Sequence, residues 1–400
     1  MSKLRKIAEI TPNLPFSEFN FYELYRETFE HSELGRMKKI LPLHKMAESF
    51  GLVPFGKIVF MKVLSLAQEQ SVVGLVAAGL DLVSDTKVAK TDVLQFIGQS
   101  LQLEQQNAAM NTFIEELVER MRSVGIYTLL VKGQGIAQCY EKPFWRSCGD
   151  VDLFLDSRNY RNAVDYLTPM AKSIDEENPT NMHLGMTIDP WVVELHGTLR
   201  SGLGQRIDDG IDALQDVVFK EGQVRIWRNG GTDIYLPAAE IDVIFVFTHI
   251  LQHFFKGGIG LRQVCDWCRL LWTYRDEIDR WLLLDRVREM GLLTEWETFA
   301  ALAVDFLGMP RQAMPLYSGK RRWARKAERV LAFIIETGNF GHNRDKSYYE
   351  KYPVVVYKAI SLWRNTSDSL RHFMIFPKDA ARVWFIRLKD GVAQVVRRGR

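Results

Sequence analysis

Apolar and polar positions along this chain change their period twice. From about residue 16 to 105 the apolar residues recur at helical intervals. Glu18 to His31 mixes aromatic and acidic residues at that spacing, and Ile58 to Ala67, Val72 to Val83 and Thr91 to Leu101 read as further short helices. Gly79, Asp81 and Ser84 supply breaks, and Thr91 is a helix cap. Met110, Phe113, Ile114, Leu117, Met121 and Val124 then fall on one helix face, and Gly125 is placed to stop that helix.

The period now shortens. Ile126 to Val131 is a run of β-favouring residues, read as a buried strand. Lys132-Gly133-Gln134-Gly135 makes a turn into a short helix from Ile136 to Glu141, which Pro143 ends. Val151 to Leu155 is a second strand, Ser157 caps a helix to about Leu167, and Met182 to Ile188 with Trp191 to Leu195 suggest a hairpin around Asp189-Pro190. Beyond Pro237 helical spacing returns in Ile241 to Phe255, Val264 to Arg275, Ile278 to Met290 and Thr294 to Leu307. The predicted fold is α+β: a helical region over 1–105, a mixed α/β core with a small sheet over 106–236, and a second helical region over 237–400.

Composition narrows the classes. A chain of 400 residues, 47% hydrophobic and 25% charged, fits a globular protein of two or three structural units. A net charge of +3 makes no case for nucleic acid as a partner. The N-terminus lacks an apolar signal region, and stretches such as Ile241 to Ile250 are too short to span a bilayer. Four cysteines make no disulfide framework, so a reducing cytoplasm is expected. Arg382, Arg387, Lys389, Arg397, Arg398 and Arg400 make the C-terminal end basic, read as a solvated helix face.

Chemistry gathers in the middle. On a strand, residues two apart share a face, so Asp150 and Asp152 project together. Two such carboxylates repel unless a cation sits between them, and hard ions such as Mg2+ or Mn2+ favour oxygen ligands. A glycine turn opening a helix offers backbone N–H groups to phosphate, and here it follows a buried strand and carries Lys132. Arg146 lies four residues before Asp150 and either meets a phosphate or pairs with an acid. In Val192-Val193-Glu194-Leu195-His196 alternation puts Glu194 and His196 on one face, and a carboxylate in an apolar strand needs a partner, an ion or a base's role. His249 and His253 are one helical turn apart, and Arg262, Asp266 and Arg269 share a later helical face. Cys265 and Cys268 lie in a helical pattern and read as buried thiols.

The order of a strand, Lys132-Gly133, a helix, Arg146, Gly149-Asp150-Val151-Asp152-Leu153 and then Val193-Glu194-Leu195-His196 resembles the DNA polymerase β-like nucleotidyltransferase superfamily, and within it an uncharacterised bacterial nucleotidyltransferase family. The chain departs from the superfamily in having Gln134 where a serine or glycine follows the turn glycine, and glutamate at the third acid. The resemblance implies transfer of a nucleoside monophosphate from a nucleoside triphosphate, ATP first among them, to a hydroxyl of an unidentified protein, sugar or small metabolite. It implies Asp150, Asp152 and Glu194 as catalytic metal ligands for Mg2+ or Mn2+. It also implies Lys132, Gly133, Gln134 and Arg146 at the nucleotide, with His196, His249 and His253 along the substrate cleft. The alternative is a catalytically silent relative that binds a nucleotide or partner as a scaffold.

Overall fold

The computed structural model describes residues 60–80, 89–178, 182–341 and 354–386. The helix expected over Glu18 to His31 and the basic residues from Arg387 to Arg400 lie outside the described residues. Where the period is helical, the chain forms α1 (Phe60–Glu69), α2 (Val73–Leu80) and α3 (Lys90–Ser123). The last begins one residue before Thr91, with Ala89 in the cap position, and runs unbroken through residues 105 and 106. Its buried residues Met110, Ile114, Leu117 and Met121 form the expected stripe, and Gly125 ends it at φ +78°.

Strands β1 (Leu129–Val131) and β2 (Asp150–Phe154) flank α4 (Gly133–Ala137), and α5 (Ser157–Leu167) follows. The cap of α5 is Asp156 rather than Ser157: its carboxylate accepts from the backbone N–H groups of Arg158 and Asn159. Strands β3 (Ser173–Ile174), β4 (His183–Ile188) and β5 (Trp191–His196) complete a five-stranded sheet ordered β1-β2-β5-β4-β3. Strands β2 and β5 run parallel and the other pairs antiparallel. The mixed α/β class is therefore as expected.

Alternation divides the two faces of this sheet. Val151, Leu153, Leu184, Met186, Val193 and Leu195 bury one face against Met110, Ile114 and Leu117 of α3 and Tyr160 and Ala163 of α5. The other face carries the polar set, and register aligns it: Asp152 lies beside Glu194, and Glu194 opposite Gly185, while His183 faces His196. A one-residue slip would send every carboxylate into the apolar layer, so burial of one face holds the register.

After α6 (Gln205–Glu221) comes a hairpin that the sequence reading missed, β6 (Val224–Asn229) and β7 (Thr232–Pro237). Gly230 turns it at φ +55°, and the Gly231 N–H donates to Glu115 at 2.7 Å. Leu236 of β7 packs over the turn into α4, where a Cβ on Gly135 would come within 2.5 Å of it. Glycine is required there by close approach.

The second helical region is α7 (Ala239–Lys256), α8 (Leu261–Thr273), α9 (Arg280–Glu289), α10 (Leu293–Asp305), α11 (Arg321–Thr337) and α12 (Val354–Ile375), then a helix over 377–386. Phe247 of α7 stacks on Trp267 at 5.1 Å and meets Trp296 at 4.7 Å, all three buried. Cys265 and Cys268 are buried thiols in this core, as expected.

Glu295 of α10 is 1% exposed and lies beside Asp379. Burial, then the Asp379 carboxylate beside it, pushes its carboxyl up to about 9. A carboxyl raised in the folded state contributes stability that is present below its unfolded pKa of 4.5 and lost as pH rises through about 9. Glu295→Gln is therefore expected to raise Tm over wild type at about pH 8 and to change it little near pH 4, each kcal/mol recovered being worth roughly 2–4 °C. Melts at both pH values check the sign; a larger gain at low pH would contradict it.

Candidate active site

Lys132 leaves β1 with φ +57° and ψ −143°, a conformation that costs a residue with a Cβ on the order of 1–3 kcal/mol and survives only where the surroundings impose it. Its side chain turns to β2, where the Lys132 ammonium donates to Asp152 Oδ1 at 2.6 Å. His196, on β5, places Nε2 at 2.8 Å from the same oxygen and at 3.5 Å from Glu194 Oε2. Glu194 Oε2 is also 3.2 Å from His183 Nε2 on β4. Three strands and one turn thus converge on two carboxylates.

The charges divide unevenly. Asp150 is pushed up, first by the Asp152 carboxylate two residues away and then by burial. Burial also pushes on Asp152, but the Lys132 ammonium and the bond from His196 outweigh it and hold that carboxyl below its ordinary value. Hydrogen bonds from His183 and His196 hold Glu194 well below the carboxylate range. For Lys132 burial opposes the charge, and the attraction of Asp152 more than restores it. The site is a cluster of carboxylates with one ammonium already seated among them.

A family model described as an uncharacterised nucleotidyltransferase matches residues 58–308, more than half of the chain. The chain belongs to that nucleotidyltransferase family. Neither a curated protein nor a solved structure matches it. The matched span runs from α1 past α10 and takes in both sheets.

The fold brings together Lys132, Asp152, Glu194 and His196 by direct contact, with Asp150 beside them on β2. Arg146 goes elsewhere. Its guanidinium is 2% exposed and forms a two-bond fork with Asp266 of α8, Nε to Oδ1 at 2.9 Å and Nη2 to Oδ2 at 2.7 Å. Tyr140 donates to the same carboxylate at 2.8 Å. The salt bridge that the sequence offered as the second reading of Arg146 is the one formed, but to an acid on a distant helix. The Gln134 side chain also turns inward, its amide donating to Asn107 Oδ1 at 2.7 Å. A phosphate contact from Gln134 would therefore use its backbone N–H.

On α7 the rings of His249 and His253 meet at 4.4 Å. Burial, then the Lys132 charge, holds His249 well below its usual range and His253 down to about 4, so both are neutral imidazoles near neutral pH. Two residues join the picture that the sequence did not single out for the site. His183 enters through the β4–β5 register. Arg262, noted only for sharing a helical face with Asp266 and Arg269, acts electrostatically on both Asp150 and His249, and its buried Nε has no hydrogen-bond partner among the described residues. Among the described residues, no helix is long and apolar enough to cross a membrane.

Proposed function

We propose that this protein transfers a nucleoside monophosphate from a nucleoside triphosphate, ATP first among them, to a hydroxyl of a protein, sugar or small-metabolite acceptor. The observation that carries the reading is the convergence of Asp150, Asp152 and Glu194 on one sheet face beside Lys132, in register across β2 and β5.

The donor chemistry fits a hard divalent ion. Two carboxylates share a strand, a third comes from its parallel neighbour, and the repulsion that raises Asp150 is what a cation relieves. Asp150, Asp152 and Glu194 would hold Mg2+ or Mn2+, which when bound supplies charge neutralisation at the phosphates and a more acidic attacking hydroxyl.

The protein's own groups have separable tasks. Lys132 delivers positive charge from the turn, and the first backbone N–H groups of α4, at Gly133 and Gln134, would donate to phosphate oxygens. Arg262, which pairs with Asp266 at 3.9 Å in poorer geometry than Arg146 and whose charge also bears on Asp150, would take the phosphate-facing role first expected of Arg146. Arg146 acts as a positioning residue, tying the segment before β2 to α8. The bonds from His183 and His196 stabilise the Glu194 anion, which suits a ligand and works against a proton acceptor. His249 and His253 present neutral imidazoles to the acceptor side. Four buried free thiols support a reducing compartment, the cytoplasm.

One observation favours a second reading, a silent nucleotide- or partner-binding scaffold: Gln134, at the place of the superfamily serine, is turned into the core. Calorimetric titration of ATP with and without Mg2+ separates them. Transfer chemistry requires binding that depends on the ion; binding indifferent to it supports the scaffold.

A further inference from the structure

The carboxylate pair is not the whole of the polar face. Across the β4–β5 register, His183 sits opposite His196, and Glu194 lies two residues before His196 on the same face. One ligand atom from each of the three lies within 4.8 Å of the others. Glu194 Oε2 is 3.2 Å from His183 Nε2 and 3.5 Å from His196 Nε2. Ligands about 2.1 Å from a common ion are about 3.0 Å apart in octahedral and about 3.4 Å apart in tetrahedral geometry, so both separations, hydrogen-bonded as they stand, also match metal-site edges.

We propose that His183, Glu194 and His196 form a seat for a divalent transition-metal ion of the zinc class, sharing Glu194 with the Asp150 and Asp152 carboxylates and differing from that set in its ion preference. It deepens the nucleotidyl-transfer reading and rests on it for what the ion would serve.

The ligand types select the ion. Imidazole suits zinc, cobalt, nickel and iron, whereas Mg2+ is held by carboxylate, carbonyl and water oxygens. Two imidazoles and one carboxylate are also a set used in catalytic metal sites that keep a position open. The seat is open in that sense. The side chains of His183, Glu194 and His196 are 39%, 30% and 12% exposed, so an ion can enter and water or a phosphate oxygen can complete its shell. Asp150, Asp152 and Glu194 outnumber the Lys132 ammonium, and the ion would replace the contact that His196 Nε2 makes with Asp152 Oδ1 at 2.8 Å. The three ligands sit on adjacent strands rather than on loops, and the opposite face of those strands is locked by Leu184, Val193 and Leu195. The seat is therefore preorganised.

The test uses the full chain stripped with a chelator and titrated with Co2+, read by visible absorption, then with Zn2+ in competition. One equivalent of Co2+ is expected to bind, to be displaced by Zn2+ and to resist excess Mg2+. His183→Ala and His183→Gln, the second keeping a polar partner for Glu194, should each weaken Co2+ binding at least about tenfold. X-ray absorption on the wild-type zinc complex should show imidazole ligation, a readout that needs no variant to fold. Absence of saturable Co2+ or Zn2+ binding, wild-type affinity in both folded variants, or a spectrum without imidazole scattering each overturns the seat. Mg2+-dependent ATP binding measured in parallel keeps the two ideas apart. ATP binding without Zn2+ binding sinks the seat alone, and Zn2+ binding without ATP binding supports the seat while sinking the transfer reading.

Discussion

Asp150→Ala is expected to lower nucleotidyl transfer by on the order of 10³-fold and to remove the Mg2+ dependence of ATP binding, while Tm stays level or rises. The two halves of this result come from one arrangement. Asp150 suffers the repulsion of Asp152 two residues away on the same face, and that repulsion together with burial raises its pKa. Its removal relieves the folded state of a like-charge contact, as at sites that hold function at a cost to stability. The packing of β2 rests on Val151, Leu153 and Phe154, which the substitution leaves alone. Asp152 differs, since it accepts from Lys132 at 2.6 Å and lies 2.8 Å from His196. Asp152→Ala would leave a buried ammonium without its acceptor, so Asp152→Asn is the cleaner probe, with the same loss of transfer and a lower Tm. Calorimetry with Mg2+ and ATP, beside a melt of each variant, checks both halves. Wild-type ATP binding in Asp150→Ala would remove the carboxylate from the site.

Arg146→Ala is expected to cost about 3–5 kcal/mol, because it leaves a buried carboxylate without its counter-charge. Arg146 and Asp266 are among the most buried charged side chains, joined by two hydrogen bonds, and Arg262 stands 3.9 Å from Asp266 in poorer geometry. Tyr140 alone cannot neutralise the acid. Replacing both partners with apolar residues, Arg146→Met with Asp266→Leu, should recover most of the loss, since the pair's mutual attraction mainly offsets its desolvation. Urea unfolding measures the three variants. If Arg146 met a nucleotide instead, its alanine variant would keep its midpoint and lose ATP affinity.

What was legible in the sequence follows from the range of each interaction. The period-two pattern alone places Asp150 with Asp152 and Glu194 with His196, and both pairs share a face as expected. That Asp152 and Glu194 are neighbours depends on β2 pairing in parallel with β5, a non-local choice that no local pattern reveals. His183 escaped for the same reason: its meaning comes from standing opposite His196. Arg146 finds its acid 120 positions away, where spacing carries no signal. Other misses were local. Asn229-Gly230-Gly231 is a hairpin signal that was passed over, and the cap before α5 is Asp156, one residue earlier than read. The apolar pattern of helix α3 falls into pieces because its middle, around Gln102 to Gln106, is largely solvent-facing and has no apolar stripe. The helical regions came through best, since burial of Ile241, Ile244, Phe247, Ile250 and Phe254 of α7 repeats along one chain segment.

The central claim is that the α-phosphate and its nucleoside leave the triphosphate together. Incubating the protein and Mg2+ with a cell extract, in parallel with ATP labelled at the α- or the γ-phosphate, tests it most directly. Covalent label retained from α-labelled ATP, with γ-label released as pyrophosphate and both signals lost in Asp150→Ala, is the predicted result; transfer of the γ-label to the acceptor, or incorporation unchanged in Asp150→Ala, would contradict it.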